Sequence, residues 1–158
     1  MIKGQSKLSD MHLVSRIGYQ FKQPELLQLA LTHRSVSHKS NYERLEFLGD
    51  AVLSLLVSAY VFTTQATARE GQLSQLRARL VNQGTLATLA RQLDLGRFLL
   101  LGRGEDQHGG RNKDSLLAAA LEAVVAALYL DGGLQQTQEV FWRCFLAAIE
   151  QCTSAMPD

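Results

Sequence analysis

The sequence predicts a single all-α domain, and three observations favour this fold class. The chain has 158 residues, which is the usual size of one globular domain. Its composition, 46% hydrophobic and 20% charged with two prolines, excludes a disordered or collagen-like chain and favours helices over strands. Apolar residues recur with a helical period through most of the chain. We therefore expect a compact bundle of six or so helices.

Two short helices are predicted before residue 40. The pair Ser9-Asp10 can cap the first, which ends before Gly18. The second begins at Gln23-Pro24-Glu25, because proline suits the first helical turn and an acid complements the positive end of the helix. It is expected to run to about His33.

Longer helices follow. The third is predicted from Asn41 to about Phe62, after which Thr63–Thr67 breaks the pattern, and the fourth from about Glu70 to Gln92. Four of the twelve glycines lie in residues 102–110, which predicts a mobile loop. The fifth and sixth helices are predicted over residues 112–130 and 134–151, separated by Asp131-Gly132-Gly133. The domain is thus expected to span residues 1–152, with a polar linker or tail over 153–158.

The net charge, the cysteines and the apolar runs exclude several classes of protein. The formal charge of +1 is too small for a protein that binds nucleic acid by charge alone. Cys144 and Cys152 would lie about 12 Å apart along a helix, too far for a disulfide. The apolar runs 51–62 and 116–130 are shorter than the roughly 20 residues of a membrane span, and no signal peptide is visible. We expect a reduced, cytoplasmic protein without a membrane partner.

Acidic residues share one face of the third predicted helix. At about 100° per residue, Glu43, Glu46 and Asp50 fall within an arc of about 60°, separate from the leucine stripe that faces the core. Further along the helix the same face becomes apolar, so the acids approach the interior. Such a cluster either binds a divalent cation or is an ordinary solvated face that Arg44 screens.

Glu122 is a second acidic anomaly. It is the only charged residue in the apolar segment Leu116–Leu130, which is predicted to be a central helix. A buried, unpaired carboxylate costs several kcal/mol, so Glu122 must be paired, protonated or bound to a metal ion. Both a metal site shared with the third helix and an ion pair with Arg77 or Arg79 remain open.

Other candidate residues carry weaker signals. Glu70 is typical of an acid that complements a helix N-terminus, although it could also lie near the other acids. His33 fits a structural hydrogen-bonding role at a helix end better than a catalytic one. The glycines around Arg103 lack the Lys-Ser/Thr of a phosphate-binding loop.

The run Asn41–Val52 closely resembles the signature motif of the ribonuclease III family of double-stranded-RNA endonucleases. Further segments occur in family order and with family-like spacing, so that the resemblance covers nearly all of residues 10–150. They are Ile17–Phe21, Leu29–Ser35, Glu70–Ser74, Asp114–Ala118 and Leu121–Ala123. The chain looks most like the catalytic domain of a bacterial enzyme.

The resemblance implies an all-helical endonuclease domain that forms a homodimer, with one acidic centre per subunit along a shared valley for double-stranded RNA. Each centre would cut one strand by Mg²⁺-assisted hydrolysis, with Mn²⁺ as a substitute, in the processing of rRNA and mRNA. The products would carry 5′-phosphate and 3′-hydroxyl ends. The chemistry suits carboxylates, which hold oxygen-preferring ions that activate water and polarise a phosphate.

The resemblance also implies a role for each acidic residue that occupies a position of the family's motifs. The resemblance implies that Glu46, Asp50 and Glu122 are metal ligands, of which Asp50 and Glu122 are catalytic. Glu43 and Glu70 would be accessory acids near the site and the RNA.

Surface roles follow from the same resemblance. Phe47, which points away from the leucine stripe, would plug a pocket on the partner subunit, the alternative being a place in its own core. Five basic residues are candidates for phosphate contact or else solubilising surface: Arg77, Arg79, Arg103, Arg111 and Lys113.

Departures from the family pattern are also visible. The family has an aspartate three residues before the glutamate matched by Glu122, and here that position is Ala119. Alanine cannot bind an ion, and Asp114 is about 12 Å away along the helix, so metal affinity and cleavage should both fall. No segment of this sequence resembles the family's usual C-terminal double-stranded-RNA-binding domain, which fits either a single-domain relative or a truncated chain. A domain with a charge of +1 should by itself bind RNA weakly and with strong salt dependence.

Three functions therefore compete. The first is an endoribonuclease impaired at Ala119. The second is a catalytically silent RNA-binding or ribosome-associated dimeric module. The third is a dimerising helical bundle without RNA. The persistence of the other acids favours the first, because a structural module has little use for clustered carboxylates.

Overall fold

The computed structural model describes residues 11–155, and the predicted all-α fold is confirmed. Within these residues there is no β-strand, only an isolated bridge between Thr32 and Leu100. The predicted cap Ser9-Asp10 lies outside the described residues. The helices are α1 (11–17), α2 (Pro24–Ala30), α3 (Glu43–Thr64), α4 (Glu70–Leu80), α5 (Gln83–Gln92), α6 (Leu95–Phe98), α7 (Arg103–Gln107), a 3-10 turn (Gly110–Asn112) and α8 (Asp114–Ser154).

Helix α8 is the central element, and α3 and α5 make the most extensive contacts with it. Its first part is buried nearly all round, as the apolar sequence predicts. At Gly133 the backbone leaves the helical region, with φ 82° and ψ 174°. The predicted division into a fifth and a sixth helix is therefore confirmed. The second part continues to Ser154, so helix occupies two residues that were expected to belong to the tail.

Helices α3 and α8 are both long and apolar enough to cross a membrane, judged by length and composition alone. The expectation that no segment reaches this length was therefore wrong, because small and hydroxylated residues extend the two apolar runs. In the fold, 67% of the most apolar 18-residue stretch of α8 is buried, whereas 39% of the corresponding stretch of α3 is buried. A buried core helix satisfies the same criteria of length and composition.

Two helix boundaries differ from the prediction because hydrogen bonds outside the helical pattern end the helices there. The predicted fourth helix is divided into α4 and α5 at Asn82, whose side chain accepts a hydrogen bond from the Thr85 amide at 2.8 Å. This is an N-cap in the middle of an apolar period that looked continuous. Helix α2 ends at Ala30 rather than near His33, because the following residues pair with the backbone of Leu100.

The segment predicted as a mobile loop is instead ordered into α7 and the 3-10 turn. Arg111 holds it together, since its guanidinium donates to the carbonyl oxygen of Leu99 at 2.6 Å and to that of Gly96 at 3.1 Å. The same group donates to both carboxylate oxygens of Asp106 at 2.8 and 3.1 Å. The prediction of a mobile loop from glycine content alone was therefore wrong.

Candidate active site

The acidic residues of α3 and α8 lie near a close contact between the two helices. Gly49 of α3 lies directly against the backbone of Glu122, and a β-carbon at Gly49 would overlap the Glu122 carbonyl group. Only glycine permits this approach. Glu46 and Asp50 lie three residues before and one residue after Gly49, so the contact brings both to the neighbourhood of Glu122.

Burial and the negative charges of these carboxylates raise the pKa values of Glu122 and Glu46. The pKa of Glu122 is raised to about 7, first by burial and then by the charges of Asp50 and Glu46. Burial also raises the pKa of Glu46, with further contributions from Glu43 and Asp50. The expectation that acids from two separate helices converge is thus supported by their mutual electrostatic effect.

The alternative of an ion pair between Glu122 and Arg77 or Arg79 is wrong. Among the salt bridges of residues 11–155, none involves Glu122. Arg77 instead donates to the hydroxyl of Ser58 at 3.3 Å, and Arg79 is exposed. Glu122 therefore lies among like charges without a basic partner.

The donor chemistry of the site suits a hard divalent cation, but the set of ligands is incomplete. Three carboxylates supply the oxygen atoms that Mg²⁺ and Mn²⁺ prefer. In the described part of the chain, however, no three His, Cys, Asp or Glu side chains are arranged closely enough to hold an ion. Ala119 is 7% exposed, lies one helical turn before Glu122 and contributes no oxygen atom. The residues thus match such an ion in the type of donor atom, while the described residues contain no closed set of ligands.

The two accessory acids are placed very differently. Glu43, the first residue of α3, forms an ion pair with Arg34 at 3.6 Å and belongs to the acidic cluster, because its charge acts on Glu46. Glu70, the first residue of α4, accepts a hydrogen bond from Ser74 at 2.7 Å.

Glu70 lines a cleft near Phe62, at the opposite end of α3 from the acids. Asp50 and Phe62 are about 18 Å apart along the helix axis. Within one chain, Glu70 is therefore not brought to the site, which corrects the expectation that it lies nearby. Its position at the start of α4 fits the alternative, an acid that complements the helix dipole.

Two of the five basic residues proposed for RNA contact already have partners within the domain. Arg111 is engaged by the backbone carbonyls and the carboxylate described above. Lys113 forms an ion pair with Glu105 at 2.7 Å. Arg77, Arg79 and Arg103 are exposed, and they remain candidates for contact with a phosphate.

Phe47 is 82% exposed, so the alternative that it packs into its own core is wrong. It borders an open groove of about 840 Å³ between α2, α3 and α8. The apolar lining of this groove comes from Leu26, Leu29, Leu45, Leu48 and Leu130. The exposed ring and the groove together form an exposed apolar surface.

Sequence reasoning missed two residues that determine how helices pack around α8. Gly49 was visible as a glycine within a long helical pattern, a feature that often marks a close backbone approach. Asp131 was assigned only to a break, yet it is buried and accepts hydrogen bonds from the Tyr19 hydroxyl at 2.7 Å and the Lys22 and Gln23 amides at 2.8 and 2.9 Å. It thereby joins the start of α2 to α8.

This chain is similar to known proteins of one family. A model of the Ribonuclease-III-like family matches residues 23–149. The chain is 56% identical over 133 residues to Ribonuclease 3 of Acinetobacter pittii, covering 84% of the chain and 58% of that protein. It is 51% identical over 138 residues to Ribonuclease 3 of Alcanivorax borkumensis, covering 87% and 60%. The chain thus spans less than two thirds of the length of these curated relatives.

A solved structure agrees with this match. The nuclease domain of ribonuclease III from Campylobacter jejuni superposes with a TM-score of 0.84 at 43% identity, covering 86% of this chain and 95% of that one. A Dicer from Pichia stipitis shares the fold alone, with a TM-score of 0.66 at 23% identity, covering 89% of this chain and 62% of that one. The chain therefore belongs to the ribonuclease III family, and its fold is that of the family's nuclease domain.

Proposed function

We propose that this domain is the catalytic part of an endoribonuclease that hydrolyses double-stranded RNA in the processing of rRNA and mRNA in the cytoplasm. The observation that supports this function is the approach of Glu46, Asp50 and Glu122 across the Gly49 contact. Family membership supplies the substrate class, and the carboxylates supply groups suited to phosphodiester hydrolysis.

We further propose that Glu46, Asp50 and Glu122 hold Mg²⁺, or Mn²⁺ in its place. Such an ion, when bound, supplies a Lewis acid that activates water and neutralises charge on a phosphate. The fold contributes a rigid frame, since the Gly49 contact fixes the spacing of α3 and α8. In the metal-free site the pKa of Glu122 is about 7, so near neutral pH an ion would bind in competition with the proton of this carboxyl group. The product ends would be a 5′-phosphate and a 3′-hydroxyl.

In this chain, we propose, cleavage is impaired because Ala119 replaces a ligand. The test is Ala119→Asp, assayed for cleavage of long duplex RNA over a range of Mg²⁺ concentrations. We expect at least a hundredfold gain in rate, abolished again by Glu122→Gln in the same background. Ala119→Asn is the matched control, with a similar shape and no charge, and should gain far less. Absence of any gain at all Mg²⁺ concentrations would refute this explanation.

A second candidate is a catalytically silent RNA-binding or ribosome-associated module. It is favoured by the incomplete ligand set, since the described residues contain no closed metal site. This function predicts tight duplex binding that does not change when Mg²⁺ is replaced by EDTA. The impaired-nuclease proposal predicts weak binding that falls steeply with salt. Filter binding at several salt concentrations, with and without Mg²⁺, separates the two.

We also propose that the domain forms a homodimer through the face of α3 that bears Phe47. Leu55 and Phe62, which are 52% and 74% exposed, lie within about 80° of Phe47 around the helix and extend this apolar face. Sedimentation velocity should show dimers that Phe47→Ser converts to monomers. Met11→Ser, at another exposed apolar residue, should leave the dimer intact. A wild-type monomer at micromolar concentration would contradict this assembly.

A further inference from the structure

Two loops that are far apart in sequence run side by side next to the start of α3. The Leu100 amide donates to the Leu31 carbonyl at 2.9 Å, and the His33 amide donates to the Leu100 carbonyl at 3.0 Å. Two residues further on, the Gly102 amide donates to the Ser35 hydroxyl oxygen at 2.8 Å. A β-carbon at Gly102 would lie 2.6 Å from the Ser35 carbonyl oxygen, so the approach depends on glycine.

The hydrogen bonds of His33 determine where its proton resides. The backbone amide of Ser35, which can only donate, points to Nδ1 of His33 at 3.1 Å. Nδ1 therefore accepts, and in the neutral ring the proton is on Nε2. The Ser35 hydroxyl lies 2.7 Å from the same Nδ1. Because Nδ1 carries no proton, the hydroxyl donates its proton to Nδ1, and its oxygen accepts from the Gly102 amide.

The result is a directed chain from the Gly102 amide through the Ser35 hydroxyl to Nδ1 of His33. A proton on Nδ1 would turn the acceptor into a donor. The Ser35 amide would then face another donor, and the hydroxyl would have to reverse. These hydrogen bonds are therefore compatible with the neutral His33 ring and not with the protonated ring.

Charged groups of both signs face His33 from the surrounding elements. Glu105 of α7 and Glu43 of α3 favour the protonated ring, whereas Arg34 and Lys113 oppose it, and the Tyr42 ring packs edge-on at 5.8 Å. Burial has the largest effect and lowers the pKa of His33 below its ordinary value of 6.5. The neutral form thus prevails at pH 7.

We propose that neutral His33 is a positioning residue that fastens the α7 segment (residues 99–113) to the loop leading into α3, and that its protonation loosens this segment. The fastening holds Gly102, the residue before α7, against Ser35. This inference goes beyond the proposed function, since the fastening would operate whether or not the domain cleaves RNA.

The test is amide hydrogen exchange of Ser35 and Gly102 between pH 5 and pH 8 on the full chain, corrected for intrinsic exchange rates, with the His33 ring followed by NMR. In the wild type, protection of both amides should fall about tenfold as the ring becomes protonated. The ring should be the Nε2–H tautomer at pH 7.5.

Variants separate the ring's charge from its packing. In His33→Asn the side-chain oxygen can accept from the amide two residues on, as in an Asx turn, so protection should persist and become independent of pH. His33→Ala should lose protection of both amides at every pH. His38→Asn, a change at a neighbouring exposed histidine, should behave as the wild type. Wild-type protection that stays constant through the His33 titration, or an Nδ1–H tautomer at pH 7.5, would overturn the proposal.

Discussion

Gly49 of α3 packs against the main chain of Glu122 of α8 with no space for a β-carbon between them. This one contact sets the distance between the helix that carries Glu46 and Asp50 and the helix that carries Glu122. The acidic site is thus built on backbone packing, and the carboxylates are held near one another although they repel.

Gly49→Ala should therefore destabilise the domain, because the new methyl group pushes backbone rather than a flexible side chain. We expect a loss of roughly 2–4 kcal/mol in the free energy of unfolding, measured with urea. Gly71→Ala is the matched control, since a β-carbon there meets no atom within 4 Å and α4 should gain up to about 1 kcal/mol. Equal effects of the two substitutions would contradict the close approach of α3 and α8.

Glu122→Gln should stabilise the metal-free domain at neutral and alkaline pH and have almost no effect at acidic pH. The pKa of Glu122 is raised from 4.5 to about 7 in the fold, so the unfolded state loses its proton first as the pH rises. Wild-type stability should therefore decline between pH 4.5 and about 7. The substitution removes this decline, a gain on the order of 2 kcal/mol at pH 8 and nearly none at pH 4. Urea titrations in EDTA at both pH values measure it, and a gain that is the same at pH 4 would argue against a raised pKa.

Asp131→Asn should weaken the junction between α2 and α8. The carboxylate accepts three hydrogen bonds, from Tyr19, Lys22 and Gln23, and an amide oxygen can replace only part of them. We expect a loss of about 2–3 kcal/mol in thermal or urea unfolding. Glu139→Gln, at an exposed acid on the second part of α8, should change stability by less than about 0.5 kcal/mol.

Arg111 and Arg103 should respond to mutation in opposite ways. Arg111→Ala removes the bonds that order the α7 segment and should cost about 2 kcal/mol or more of stability. Arg103→Ala should leave stability unchanged and weaken duplex RNA binding, with a shallower dependence on salt. Paired measurements of urea unfolding and RNA binding test both. A stable Arg111→Ala variant would show that the segment is ordered by other contacts.

Much of the fold was predictable because helices are largely local. The apolar period located α3 and both parts of α8, and the 100° rotation per residue placed Glu43, Glu46 and Asp50 on one face. Predicted helix boundaries were wrong where a side chain forms a hydrogen bond that the apolar periodicity does not reveal. Asn82 divides a continuous pattern, and Arg111 orders a glycine-rich segment by reaching the Leu99 carbonyl.

The site was predictable in part for the same reason. The sequence by itself determined that three acids share a helix face, that Glu122 is an isolated charge in an apolar helix, and that Ala119 lacks an oxygen donor. These properties depend on residue identity and helical geometry alone. The tertiary structure alone decided that Gly49 brings the two groups together, that Glu70 lies at the far end of α3, and that Lys113 is paired with Glu105. Such relations join residues distant in the chain, and packing in three dimensions, rather than local periodicity, selects their partners.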